Sequence, residues 1–340
     1  TVIAALERDP RVVSAQPNYR YALAQAAPAV QATPAVPAAP AQQAAAVEGS
    51  RPDLYATQYS AGKLQLREAH AIGKGERVLV AVIDSGIDAA HPEMNGAIAK
   101  QIDIVEEKDR VPHAHGTAMA GAIVARSQLM GVAPAARLLA IKAFASTSSA
   151  KGSGTTFNLT RAIDRAVEEG ARVINLSFAG PADPMLQRSL QAARRRGIVL
   201  VASVGNEGPN AAPLYPAADP NVIAVTATDA NDRLFAGANR GSYVVVAAPG
   251  VDVLVPAPHA EYGLSTGTSV AAAHVSGVVA LLLARKPNLD PDAIRALLKS
   301  SARALAGDPD NGGGAGIANA YEAIVAADAA PAAASGIVTH

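Results

Sequence analysis

The chain of 340 residues contains no cysteine, which excludes disulfides, thiolate metal sites and a cysteine nucleophile. That absence does not fix the compartment, because a large core needs no disulfide. Neither sign of charge is in excess. The 29 basic residues balance the 29 acidic ones, so nothing points to nucleic acid or an anionic membrane as partner. A continuous apolar run long enough to cross a bilayer is also missing, and the apolar stretch 275–284 is too short. The chain opens at Thr1 with neither Met nor a signal peptide, and reads as a processed or trimmed piece of a longer precursor.

Residues 21–47 lack charge altogether and are dominated by alanine, with Pro28, Pro34, Pro37 and Pro40 interrupting them. Proline breaks helices and alanine is too small to build a core, so this stretch reads as a linker. Residues 1–23 stand apart from it, with a short amphipathic start at Val2, Ile3 and Leu6. They look like the tail end of a small domain, too short to fold alone.

From about Arg51 the pattern changes. Half of the whole chain is hydrophobic, enough for one large domain plus appendages. Short apolar runs predict strands over 78–83, 138–141, 173–176, 198–202, 222–225 and 243–247. Several are continuously apolar, as parallel strands covered on both faces are. Helices are expected over 116–126, 158–169, 184–196, 269–285 and 291–302. Asp183 and Asp290 stand as N-caps, and Gly197 closes the third helix. Strands alternating with helices predict an α/β fold with a mainly parallel sheet, whose site lies beyond the carboxyl ends of the strands.

Three polar residues fall at such places. Asp84 ends a strand in Val-Ala-Val-Ile-Asp-Ser-Gly; His115 opens a helix in His-Gly-Thr-Ala-Met-Ala-Gly; Ser269 opens another in Gly-Thr-Ser-Val-Ala-Ala-Ala-His. Each alone is ordinary: a turn former, a structural histidine, a capping sequence. His113 competes with His115, which is preferred because Gly-Thr follows it and a helix starts there. In this order and with these flanks, the three segments resemble the active-site signatures of the subtilisin-like serine peptidases, the subtilases, over residues 53–326. The resemblance implies a three-layer α/β fold with helices on both faces of the sheet. It implies a serine endopeptidase in which Asp84 orients His115, His115 takes the proton of Ser269, and catalysis runs through an acyl-enzyme.

The same resemblance extends to binding residues. Ser203-Val204-Gly205-Asn206 is similar to the family's oxyanion segment, with Asn206 as side-chain donor. Gly152, Ser153 and Gly154, and Ser177, Phe178 and Ala179, resemble the two segments that clamp a substrate strand. By the same resemblance Ser177, Phe178 and Ala179 border the pocket for the residue before the cleaved bond, Gly205 also binds substrate, and Leu214 stands where the family has glycine at the pocket floor. A leucine there implies a preference for small or medium apolar side chains, whereas Glu207 at the rim would favour a basic one.

Several positions depart from the family pattern. Ala114 precedes His115 where glycine is common; Ala118 replaces a second histidine; Ala273 replaces a proline; Ala179 replaces a glycine. His274 fits the family motif, but on an apolar helix it is expected to be a buried packing residue. No cofactor is required for the chemistry, and no metal ligand is assigned. Glu93 matches the carboxylate of a family calcium site, but 125–131 is short for a calcium loop, so that site is expected to be weak or absent, with a structural calcium ion left open elsewhere.

Residues 9–19 resemble the last strand of an inhibitory propeptide. The expected organisation is therefore a propeptide remnant over 1–23, a linker over 24–50, a peptidase domain over 51–327 and a flexible tail over 328–340, with maturation by cleavage somewhere in 20–50. The implied partners are protein or peptide substrates and the chain's own propeptide. A monomer acting outside the cytoplasm, secreted or periplasmic, is expected. Two alternatives were weighed. A scaffold of the same fold that binds without cleaving is disfavoured by the intact set of polar residues. A different α/β hydrolase would place its serine before the Asp and His in the chain, the reverse of the order here.

Overall fold

The computed structural model describes residues 2–24, 54–105, 114–145, 152–305 and 312–330. His113, Lys151, the linker beyond Ala24 and the tail beyond Ala330 lie outside the described residues.

In chain order the strands are β1 (Arg20–Leu23), β2 (Leu79–Asp84), β3 (Ile98–Asp103), β4 (Arg137–Lys142), β5 (Ser153–Thr155), β6 (Val173–Leu176), β7 (Phe178–Ala179), β8 (Val199–Ser203), β9 (Ile223–Thr228), β10 (Val244–Pro249), β11 (Val253–Ala257) and β12 (Glu261–Ser265). Seven form one sheet in the order β10-β9-β8-β6-β2-β4-β3, with every pairing parallel. The helices are α1 (Val2–Leu6), α2 (Tyr59–Lys63), α3 (Leu66–Ile72), α4 (Ala114–Val124), α5 (Thr156–Glu168), α6 (Pro184–Arg195), α7 (Thr268–Arg285), α8 (Pro291–Ser300) and α9 (Ala320–Ala329).

The alternation of side chains along a strand explains the continuous apolar runs. On β2, Val80 and Val82 enter a core built with α3, α4, α7, α8 and α9. Ala81 and Ile83 enter a second core on the opposite face, built with α5 and α6. Layered helix, sheet and helix, this is the expected α/β architecture. Local chemistry sets the helix ends. Asp183 accepts from the N–H groups of Met185 and Leu186, and Asp290 from that of Ala293. Pro184 and Pro291 occupy first-turn positions where the missing N–H costs nothing.

Three of the differences from the sequence expectation bear on the layout. β3 is a partly exposed edge strand, and its Lys100 and Gln101 hide the strand signal. β11 and β12 form a separate antiparallel hairpin. α7, counted as a helix rather than as an unbroken apolar run, has the length and composition to cross a bilayer. Its residues from Thr268 to Leu283 are buried, because it runs through the middle of the larger core.

Candidate functional site

β2 lies in the middle of the sheet, and Asp84 is its last residue. The carboxylate is buried and held by its neighbour: Oδ1 accepts from the Ser85 N–H at 2.7 Å and its hydroxyl at 3.0 Å. His115, in the first turn of α4, is equally buried. Its Nδ1 donates to Asp84, 2.8 Å from Oδ1 and 2.9 Å from Oδ2. Gly116 permits this approach. A Cβ at that position would lie 2.1 Å from the Gly86 carbonyl oxygen, so only glycine lets α4 start so close to the loop after β2. The Thr117 hydroxyl accepts the Asp88 N–H and fastens the two segments again.

Ser269 stands in the first turn of α7, which packs against α4. Its Oγ donates to the carbonyl of Ala24 at 2.5 Å and lies 3.3 Å from that of Ser177. The same Ala24 oxygen receives the side-chain amide of Asn206 at 2.6 Å. Asn206 is oriented by Thr268, whose N–H and hydroxyl both donate to Asn206 Oδ1 at 3.0 Å. With its oxygen so engaged, the amide NH₂ can only face Ala24. One carbonyl is therefore gripped by two donors at the start of a helix, where the N-terminal dipole also favours negative charge.

That carbonyl belongs to a strand lying in the cleft. β1 pairs antiparallel with β5, Tyr21 opposite Gly154 and Ala22 opposite Ser153. It also pairs antiparallel with β7, Ala22 opposite Ala179 and Leu23 opposite Phe178. The Ala24 N–H donates to the Ser177 carbonyl at 3.1 Å. Gly152, Ser153 and Gly154 on one side and Ser177, Phe178 and Ala179 on the other thus flank residues 20–24. Behind β7, Asn175 donates to the Ser177 hydroxyl, which donates to the Ser269 carbonyl, and Ser276 bonds Asn175 in turn. This chain of contacts ties the start of β7 to α7.

The methyl side chain of Ala24 is buried. Leu214 packs on Gly205: its Cδ1 is 2.7 Å from where a Gly205 Cβ would stand, so leucine and glycine lie face to face. Glu207 is exposed at the rim. His274 sits inside α7, its Nδ1 2.9 Å from the Pro249 carbonyl, and burial pushes its pKa down to about 4 against the pull of that bond. It is a packing residue, as expected.

Glu93 is engaged by its own chain. Its carboxylate is fully buried and accepts the N–H groups of Arg126, Ser127, Gln128 and Leu129 at 2.7–3.0 Å, together with the Tyr262 hydroxyl at 2.9 Å. A calcium ion needs oxygens facing it, and here five donors do. The short segment after α4 closes directly onto the carboxylate, so Glu93 and these residues do not fit calcium. Among the described residues no group of three or more His, Asp or Glu side chains is gathered for a metal.

Sequence reasoning missed Thr268, Thr156 and Tyr21. Thr268 was visible only as part of Gly-Thr-Ser, and nothing local announces that it orients Asn206, 62 residues away. Tyr21 was assigned to the linker boundary; its contacts lie more than 130 residues along the chain.

Comparison with known proteins gives one family. The subtilase family (peptidase S8) profile matches residues 75–321. Thermitase of Thermoactinomyces vulgaris is 34% identical over 281 residues, covering 80% of this chain and 98% of the relative. Subtilisin E of Bacillus subtilis is 36% identical over 258 residues, covering 73% of this chain and 66% of the relative. Fervidolysin from Fervidobacterium pennivorans, described as a keratinolytic enzyme related to subtilisin, superimposes with a TM-score of 0.72 at 27% identity, over 79% of this chain and 45% of that one. A protease of Pseudoalteromonas arctica gives the same TM-score and identity over 80% of this chain and 98% of its own.

Proposed function

This chain belongs to the subtilase family of serine endopeptidases, and from that premise we propose that Asp84, His115 and Ser269 are its catalytic triad, with Asn206 in the oxyanion hole. Ser269 Oγ attacks the substrate carbonyl while His115 takes its proton. The carbonyl oxygen becomes an oxyanion held by the Asn206 amide at the start of α7. His115 hands the proton to the leaving amine, which departs and leaves an acyl-enzyme. Water then repeats the sequence and regenerates the serine. The Asp84 carboxylate fixes Nδ1 as the protonated nitrogen, so Nε2 carries the lone pair that accepts the proton, and it stabilises the imidazolium as it forms.

The single observation that carries this reading is the Ala24 carbonyl, gripped by Ser269 Oγ and the Asn206 amide. Residues 20–24 lie as the acyl half of a substrate does, with Ala24 before the bond to be cut. On this reading residues 1–24 are the end of a propeptide cleaved in its own active site, and the peptidase domain follows the linker. The small, buried side chain of Ala24, and Leu214 packed on Gly205, support a pocket for small or medium apolar residues. The enzyme acts as a monomer on proteins or peptides outside the cytoplasm.

Casein hydrolysis by the full chain tests the reading, with and without a serine-directed covalent inhibitor and beside Ser269→Ala. Loss of the nucleophile costs about 2 × 10⁶ in turnover in subtilisin, a magnitude carried over from that relative, so the variant is expected to be inert. A folded wild-type protein that neither cleaves nor takes the inhibitor overturns the reading.

A further inference from the structure

Tyr21, three residues before Ala24, is buried although it carries a hydroxyl. Its ring meets Phe178 edge-on at 5.8 Å, and Phe178 leans on Phe144 at 5.2 Å. The wall opposite must be glycine: a Cβ on Gly180 would stand 2.4 Å from the tyrosine ring. Gly154, paired with Tyr21 across the strands, in turn leaves room for the ring of Phe144. The pocket is thus shaped for a flat aromatic ring.

Its floor is polar. The Tyr21 hydroxyl donates to Asp183 Oδ2 at 3.0 Å and lies 3.3 Å from the Pro181 carbonyl. Asp183 is buried, and its two oxygens divide their work. Oδ1 caps α6 through Met185 and Leu186 and takes Gln16 Nε2 at 2.7 Å. Oδ2 faces the pocket, where its partners are the Thr156 hydroxyl at 2.6 Å and the tyrosine. Burial pushes Asp183 upward, but bonds from Thr156, Gln16, Leu186 and Tyr21 outweigh it and hold the carboxyl below the usual range, so it is an ionised acceptor. Burial and the neighbouring Asp183 charge push the tyrosine upward, which keeps it a neutral donor.

Resting on the reading of residues 20–24 as a substrate-like strand, we propose that Asp183 is a specificity-determining residue that selects tyrosine at the fourth position before the cleaved bond. A phenylalanine fills the same apolar walls but leaves Oδ2 with Thr156 alone in a buried site. A site built around a substrate hydroxyl discriminates strongly against the analogue that lacks it. A bond to a charged acceptor sets the preference at about ten- to a hundredfold.

The test measures kcat/KM of the full chain on acetylated Tyr-Ala-Leu-Ala carrying a chromogenic amide, beside peptides with phenylalanine, 4-fluorophenylalanine or lysine in place of tyrosine. The tyrosyl peptide is expected to lead the phenylalanyl and fluorinated ones by at least tenfold, and Asp183→Asn, which still caps α6, to bring those ratios to about one. Tyrosyl and phenylalanyl peptides within about twofold of each other, a lysyl peptide cleaved fastest, or ratios unmoved in a folded Asp183→Asn protein would each overturn it. The substrate series needs no variant, so misfolding of Asp183→Asn does not shelter the proposal. Release from no peptide, with no serine-directed labelling, overturns the peptidase reading and this inference together; equal release from all overturns the inference alone.

Discussion

Asn206 and Thr268 are locked to each other, with both the N–H and the hydroxyl of the threonine on the asparagine's Oδ1 at 3.0 Å. The lock leaves the amide one orientation, toward the carbonyl of the bound strand. Asn206→Ala is expected to lower kcat by about 10²–10³ with little change in KM, the magnitude known from subtilisin itself and carried over here. Thr268→Val removes one of the two bonds that aim the amide, together with the acceptor of the Gly205 N–H, and leaves the amide in place. It should cost about fivefold in kcat, the size of one net hydrogen bond. Steady-state kinetics on a peptide amide separates the two. A Thr268→Val enzyme as impaired as Asn206→Ala would mean that the threonine does more than aim the amide.

The position of Ala24 makes a prediction about maturation. The wild-type chain should convert to a fragment beginning at Gln25, while Ser269→Ala keeps its full length of 340 residues. Intact-mass measurement decides. A new terminus elsewhere in 20–50, or cleavage in the Ser269→Ala protein alone, would mean that residues 20–24 do not sit in the cleft as the bond's acyl half.

The contrast between what the sequence disclosed and what it hid follows from sequence distance. The parallel strands of the sheet interior were legible because both faces are covered, which writes an apolar run into β2 up to Asp84 and into β8 up to Ser203. β3 was not, because an edge strand keeps one side in water and its lysine and glutamine look like loop. Asp84, His115 and Ser269 were legible because each carries its own flanking motif. Asp183 was legible only as the cap of α6, since its second oxygen meets Tyr21 across 162 residues. Glu93 was legible as a carboxylate with a poor calcium loop, and its actual partners were hidden for a related reason. The sequence showed that the segment after α4 is short, but not that its N–H groups would fold onto the carboxylate.

On the proposed reading, Leu214 limits the pocket for the residue before the cleaved bond. Leu214→Gly removes the methyl packed against Gly205 and opens the floor. The kcat/KM ratio of phenylalanyl over alanyl peptides, varied at the residue before the cleaved bond, is expected to rise by about tenfold, as a few methylenes of pocket volume are worth. A mixed peptide library digested by both proteins reports the shift. Dominant cleavage after phenylalanine or tyrosine by the wild type would remove Leu214 as the limiting residue.

Glu93 holds its segment by charge rather than by a metal. Glu93→Gln keeps the shape but turns one acceptor into a donor facing backbone N–H groups. The expected cost is about 3 kcal/mol in urea unfolding, measured in a Ser269→Ala background to prevent self-digestion. The cost should be equal with calcium and with chelator, because the carboxylate is already filled by five donors. A loss that appears only in calcium would show that the carboxylate opens to bind the ion.

His274 gives the fold a sensitivity to acid. Burial lowers its pKa in the folded protein from 6.5 to about 4. Above 6.5 the ring is neutral in folded and unfolded chains alike, and the residue adds no pH dependence. As pH falls from 6.5 toward 4 the unfolded chain takes up a proton that the folded one refuses, so stability declines. At about 1.4 kcal/mol per unit the decline attributable to this residue is about 3 kcal/mol by pH 4. His274→Gln offers a donor to Pro249 without a titrating group. In the Ser269→Ala background, unfolding free energies of the two proteins should differ by a constant above pH 6.5 and converge in favour of the glutamine variant below it. Parallel curves across that window would mean that His274 takes up its proton in the folded state as readily as in the unfolded one.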